Sequence, residues 1–412
     1  MLYQAYQAQR DLTAPAVGLA GLTAWAIGGL PDSLSEHSAV RWASATCQII
    51  KESRLTHTRP AFGIEEVTVG GRRERVREEA VETTPFASLI HFAKDSATPQ
   101  PRVLVVAALA GHFSTLLRST VRTLLTDHDV YLIDWHNARD VPLADGPFGL
   151  DDYVDHVMRF LRAVGPGAHL FAVCQPCPAA LAAVAVLSEA RDPVTPRSLT
   201  LIAGPIDCRV NPTSVNQLAM DVPLSWFAEH VITTVPLRYR GALRRVYPGF
   251  LQLGGFASMN IGRHTDKLLG LFNDIANGRE AQAAATQAFY DEYFAVLDLA
   301  AEFYLQTVDV VFQRHLLPRG DFEWRGRRID MGAITRTGLL TIEGERDDIC
   351  GVGQTMAAHD LCPKVRPARR RHHLQAGVGH YGVFSGSAWE GQIYPVVRNF
   401  IVANERSRAR QA

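Results

Sequence analysis

The stretch Gly167-Ala-His-Leu-Phe-Ala-Val-Cys174-Gln-Pro-Cys177-Pro-Ala-Ala-Leu-Ala-Ala-Val-Ala-Val-Leu187 decides the fold. His169 to Val173 is short and apolar enough for a strand buried on both faces, and Pro176 falls where the first turn of a helix tolerates a missing N–H. A strand that breaks at once into an alanine-rich helix, with a nucleophilic side chain at the break, is the setting of a nucleophile elbow. The side chain projects from a strained turn, and the N–H groups at the start of the next helix face the reacting atom. Cys174 has that position. The usual elbow carries glycine two residues before and two after the nucleophile, where this chain has Ala172 and Pro176, so the local pattern also fits a buried structural cysteine.

Working outward, Arg102 to Ala107 and Val130 to Asp134 read as buried strands. Between them lie the loop Ala108 to Phe113 and a helix from Ser114 to Asp127 that Ser114 could cap. Asp151 and Asp152 open a further helix, in which Leu150, Tyr153, Val154, Val157, Met158 and Leu161 keep the spacing of one buried face. Leu199 to Ala203, Gly338 to Glu343 and Arg370 to Leu374 complete the strands, and Trp389 to Ala403 the closing helix. Strands alternating with helices predict an α/β fold with a mostly parallel, doubly wound sheet. Ahead of it, Ile64 to Val69, Gly70-Gly71 and Arg73 to Val81 read as a hairpin, with Phe86 to Ala93 as the next strand.

Two segments break the rhythm. Residues 1–60 read as helical, with an apolar face over Ala39 to Ser53. Residues 211–330 are helical and aromatic with no clear strand, which predicts a helical cap inserted between core parts 61–210 and 331–412 and the substrate path beneath it.

Lys+Arg and Asp+Glu both number 42, leaving no net charge, so a protein that works by neutralising nucleic-acid phosphates is not expected. The six cysteines are scattered through a long chain, as suits a reducing compartment better than a disulfide framework. Cys174-x-x-Cys177 lacks the second pair that a zinc site needs, and no ligand cluster or phosphate-binding glycine fingerprint appears, so neither metal nor organic cofactor is expected. Glycines and a proline interrupt the apolar run Ala14 to Leu30, so neither a secretory signal nor a membrane span is expected.

Three loops at the carboxyl ends of three strands carry Cys174, then Asp347 and Asp348, then His380 between Gly379 and Gly382. Nucleophile, acid, base is the chain order that α/β-hydrolases share. In this reading His380 takes the proton from Cys174 and later activates water, one of the two carboxylates fixes the imidazole, and the thiolate attacks a carbonyl carbon. The backbone N–H of Gln175 and one near Leu109 would hold the oxyanion. His380 stands out among 15 histidines because glycines free its loop to reach inward, whereas His372 and His373 fall in a strand.

These residues resemble the intracellular polyhydroxyalkanoate (polyhydroxybutyrate) depolymerases. The resemblance rests on Gly111-His112-Phe113-x-Thr115-Leu-Leu-Arg118, Tyr131-Leu-Ile-Asp-Trp135, Ala172-Val-Cys-Gln-Pro176, Val246-Tyr-Pro-Gly-Phe250, Glu343-Gly-Glu-x-Asp-Asp-Ile349 and Gly379-His-Tyr-Gly382. It implies a cysteine α/β-hydrolase with a Cys174, Asp347 and His380 triad. It also implies hydrolysis of the ester bonds of storage polyester, in granules in the bacterial cytoplasm. This chain departs from the family in the loop Ala107-Ala-Leu-Ala110, where the family tends to have a proline, and in a second thiol at Cys177, expected to pack rather than react. The neighbouring possibilities are a polyester synthase, which would want a glycine-flanked cysteine, and a granule-binding protein on the same fold without catalysis.

Overall fold

The computed structural model describes residues 2–35, 37–52, 54–95, 99–259 and 261–409. Ser53, the expected end of the second helix, and Met1 and Arg410 at the chain ends lie outside them.

The expected strands form one nine-stranded sheet. In chain order they are β1 (Glu66–Val69), β2 (Arg72–Thr83), β3 (Ala87–Lys94), β4 (Arg102–Val106), β5 (Asp129–Trp135), β6 (His169–Val173), β7 (Ser198–Ile202), β8 (Gly338–Gly344) and β9 (Arg370–Gln375). In space they run β1-β2-β3-β5-β4-β6-β7-β8-β9. Pairing from β1 through β3 to β5 is antiparallel, and from β5 to β9 it is parallel. This is the α/β-hydrolase fold. The chain leaves β4 for β5 on one side and returns to place β6 on the other, so the loops after β4 and β6 flank the crevice where strand order reverses, the usual ligand site of open α/β sheets.

Burial follows the sequence pattern. β6 and β7 are buried at every residue, as strands covered on both faces must be. The helix Leu150–Val164 buries the apolar face that its spacing marked. The helix Cys177–Glu189 is buried from Cys177 to Leu187, and its small residues let it pass between the sheet and its neighbours.

Three expectations are corrected. The helix expected over Ser114 to Asp127 is a 3-10 turn, Ser114–Leu117, followed by the α-helix Arg118–Leu124. Ser114 does not cap it, because its hydroxyl donates to the Asp134 carboxylate at the end of β5, itself paired with Arg59. The inserted segment is mainly helical but not free of strands: Thr233–Thr234, Arg245–Tyr247 and Leu299–Ala300 form a small antiparallel sheet, and Glu323–Trp324 pairs with Arg327–Arg328. Two or three residues per strand are too few to leave a period-two signature.

The first helix, Leu2–Gly28, packs against Ser38–Glu52, which in turn packs on Ile261–Ala276 of the insertion. A buried carboxylate joins these parts. Asp298 accepts from the Tyr3 hydroxyl at 2.7 Å and the Gly249 N–H at 3.0 Å, while its own N–H donates to Asn137 Oδ1 at 3.0 Å. Burial pushes the Asp298 carboxyl up to about 6, opposed by those two donors and by Arg139. The neighbouring Leu297 N–H donates to the Gly111 carbonyl, and Val296 pairs with His112, so the segment carrying Asp298 also holds the loop after β4. Asp298→Ala strands two buried donors and should lower unfolding free energy by about 1–3 kcal/mol. Asp298→Asn, which keeps an acceptor, should lose less; urea titration at pH 7 compares them.

Candidate active site

The chain turns at Cys174 with φ +69°, in the left-handed region that non-glycine residues avoid. The conformation is held from both sides: the Cys174 N–H donates to the Ile202 carbonyl of β7 at 2.7 Å, and the Cys174 carbonyl accepts from the Cys177 N–H at 3.1 Å. The helix then begins at Cys177, with Pro176 as its N-cap.

Close packing at the elbow is accommodated by a residue that the sequence did not single out. A Cβ on Gly204, just past β7, would lie 2.2 Å from Cys177 Cβ and 3.1 Å from the Cys174 carbonyl oxygen. Its backbone is clamped by Thr355, whose hydroxyl accepts from the Gly204 N–H at 2.8 Å and donates to its carbonyl at 3.0 Å. Cys177 itself is fully buried, with its Sγ near the Ala172 and Ile202 carbonyls, and burial raises its thiol pKa far above the ordinary range.

The structure brings Asp347 and His380 together. Asp347 Oδ2 lies 2.8 Å from His380 Nδ1. Asp347 Oδ1 accepts from the N–H groups of Ile349 at 2.9 Å and Cys350 at 2.8 Å, which fixes the carboxylate plane. Asp348, the other carboxylate in view, is exposed. The loop bearing Asp347 is shaped by Glu343, a fully buried carboxylate that accepts from the N–H groups of Gly353, Thr355 and Met356 at 2.7–2.9 Å. It is joined to the histidine loop by the Arg346 N–H, which donates to the Val378 carbonyl, an oxygen that would lie 2.6 Å from any Cβ on Gly344.

His380 is buried and lines the same small pocket as Cys174. Burial opposes the imidazolium. The Cys174 and Asp347 charges and their hydrogen bonds outweigh that, and its pKa is raised well above the usual value.

Two spaces meet at Cys174. A pocket of about 60 Å³ lies against His112, Phe113, Leu117, His380 and Phe384. A cavity of about 410 Å³ opens on the other side between the elbow and the insertion, lined by Leu109, Ala203, Phe227, Tyr247, Phe303 and Tyr304 among others. The expected oxyanion donors lie here too: Gln175 and Leu109 both line the larger cavity, and the Leu109 N–H donates to Gln175 Oε1 at 3.3 Å. Ala107, at the start of that loop, is anchored through its carbonyl by Trp135 Nε1 and the Tyr153 hydroxyl. Among the described residues no group of three or more His, Cys, Asp or Glu could hold a metal ion, and no helix is long and apolar enough to cross a membrane.

Comparison with known proteins adds two relationships. A family model described as "PHB de-polymerase C-terminus" matches residues 203–405, just under half the chain; the match takes in Asp347 and His380 and begins after Cys174. The poly(3-hydroxyalkanoate) polymerase subunit PhaC of Haloferax mediterranei is 25% identical over 364 residues, covering 82% of this chain and 67% of that protein. Among solved structures, the monoacylglycerol lipase of Paleococcus ferrophilus is 12% identical with a TM-score of 0.43, covering 74% of this chain and 96% of that one. An esterase from Thermogutta terrifontis is 12% identical with a TM-score of 0.42, covering 80% and 99%.

Three substitutions probe this geometry. Gly204→Ala forces the elbow helix away from β7 and should cost about 1–3 kcal/mol, read by denaturant unfolding. In any assay of Cys174 reactivity at pH 7, Asp347→Asn should slow turnover by on the order of 10²–10⁴ through loss of imidazole orientation. Asp348→Asn should remain within a fewfold of the parent.

Proposed function

We propose that this protein hydrolyses ester bonds of poly(3-hydroxyalkanoate), with poly(3-hydroxybutyrate) the favoured polymer, by covalent catalysis at Cys174. His380 accepts the Cys174 proton, and the thiolate adds to the ester carbonyl carbon while the carbonyl π pair moves onto oxygen. Collapse of that intermediate breaks the ester C–O bond. The proton on His380 goes to the departing alkoxide, leaving a thioester on Cys174. His380 then takes a proton from water, hydroxide attacks the thioester, and the thiolate leaves as the hydroxyacid end is released, taking back the proton from His380. Asp347 holds the imidazole in the tautomer that both halves need.

The observation that carries this reading is the 2.8 Å Asp347–His380 hydrogen bond, made beside a cysteine on a left-handed turn at the mouth of an apolar cavity. Such a cavity suits an uncharged, aliphatic polyester chain, which offers only hydrogen-bond acceptors. The choice of polymer is supported by the depolymerase-type family match over residues 203–405 and by the residues of the elbow and histidine loops. On this reading the enzyme works at storage granules inside the cell.

The polymerase relative favours a second reading, in which the same thioester is passed to the hydroxyl end of a growing chain. The two differ in donor and acceptor: polymer ester and water in the first, a hydroxyacyl-CoA and a chain-end hydroxyl in the second. Incubation with amorphous poly(3-hydroxybutyrate) should release hydroxyacid, while 3-hydroxybutyryl-CoA should yield no polymer; the opposite pattern assigns the polymerase reaction, and neither product means a binding protein. Cys174→Ala should reduce hydroxyacid release at least about 10³-fold, and Cys177→Ala should retain most of it. A trapped acyl group should map to Cys174 by mass spectrometry.

A further inference from the structure

We infer that the Gln175 side chain is a displaceable occupant of the oxyanion site, a positioning residue that fills one backbone donor at rest and yields it to the reacting carbonyl. The inference rests on the reading of Cys174 as nucleophile. In this fold the developing negative oxygen is held by the N–H of the residue after the nucleophile and by an N–H from the loop after the strand that here is β4. Those are the backbone groups of Gln175 and Leu109. The Leu109 N–H is already engaged, and its acceptor is the amide oxygen of Gln175 itself, at 3.3 Å. A side chain from the elbow has folded across the site to the opposite wall.

The arrangement has a physical cause. Leu109 is almost fully buried, so without the Gln175 amide oxygen its N–H would have no protein acceptor here, at a cost of up to that of a lost hydrogen bond. The Gln175 amide oxygen removes that cost. Gln175 also lines the cavity of about 410 Å³ beside Cys174, which gives its flexible side chain room to turn away when a substrate carbonyl arrives. An ester carbonyl is a neutral acceptor much like the amide it displaces, so this exchange adds little to ground-state binding. The alkoxide that forms next is charged and holds the same N–H more strongly. That strengthening occurs with or without the occupant, whose displacement weighs on bound substrate and transition state equally.

Removing the occupant frees the donor for substrate and transition state alike. Gln175→Ala, and Gln175→Met as a variant that keeps side-chain bulk, should lower KM for a soluble 3-hydroxybutyrate oligomer about three- to tenfold, with the gain in kcat/KM carried by KM. The second probe is butyraldehyde, which adds to the Cys174 thiol as a thiohemiacetal: the sulfur–carbon bond forms as the S–H proton passes to His380, the carbonyl pair moves to oxygen, that oxygen takes the proton back from His380, and nothing leaves. Its inhibition constant, or where no turnover is seen the concentration at which half the protein carries the adduct, should improve by the same factor in both variants. Gln175→Glu should bind butyraldehyde more weakly than the parent at high pH, where a carboxylate occupies the Leu109 N–H, and recover as the pH falls and that carboxylate protonates.

If Gln175 only braces the loop, both neutral variants lose kcat and bind butyraldehyde more weakly, and the Gln175→Glu constant shows no added pH dependence; either result overturns the inference. Because the adduct forms without any polyester, failure to hydrolyse polymer counts against the proposed substrate alone. Absence of an adduct in every variant counts against the inference.

Discussion

A left-handed turn has to be held at a residue with a side chain, and much of the core is arranged to hold it. A non-glycine residue in that region costs on the order of 1 kcal/mol, and it persists at Cys174 because β6 is fixed on both edges before the chain turns. The Cys174 N–H is taken by β7, the helix that follows is buried along most of its length, and Gly204 leaves room for its first turn. Relaxing the turn would mean pulling an apolar helix out of the core. The sulfur therefore stands toward the histidine without needing a partner to pull it there.

The other two members of the constellation are positioned by backbone hydrogen bonding. Glu343 spends its buried charge on three N–H groups of the loop after β8, and Asp347 spends one oxygen on two more. Both are ordered by donors that cannot move away, so the single oxygen facing His380 has a defined direction. On the opposite side, the loop with the expected oxyanion donor is tied through Leu297 and Val296 to a segment whose next residue, Asp298, is fixed by Tyr3 near the amino terminus. The first helix, in which the sequence showed no chemistry, thus acts on the site at one remove.

Legibility followed periodicity. The sheet strands are short apolar runs between breakers, and β6 came out with the ends the sequence marked because its flanks, Gly167 and Cys174, change character abruptly. Chain order and the glycines around His380 narrowed the pair to His380 with Asp347 or Asp348, and the family resemblance selected Asp347. The short strands of the insertion were not accessible, since Arg245–Tyr247 is too brief to alternate. Nor was the role of Ser114, whose hydroxyl answers to Asp134 on another strand rather than to its own helix. The role of Gly204 escaped, as did those of Glu343 and Thr355, which the sequence offered only as parts of a family resemblance: each acts through a partner elsewhere in the chain, and a residue's neighbours in sequence say nothing of that.

Gly204 also bears on how such sites are recognised. The usual elbow gains its clearance from glycines two residues either side of the nucleophile, within one short linear motif. Here those places hold Ala172 and Pro176, and a glycine at the end of the adjacent strand supplies clearance, about thirty residues away in the chain and in contact across the sheet. The signature of the site has become spatial instead of linear. A pattern written along the sequence passes over this cysteine, whereas one written as a left-handed strand end facing a residue without a Cβ finds it.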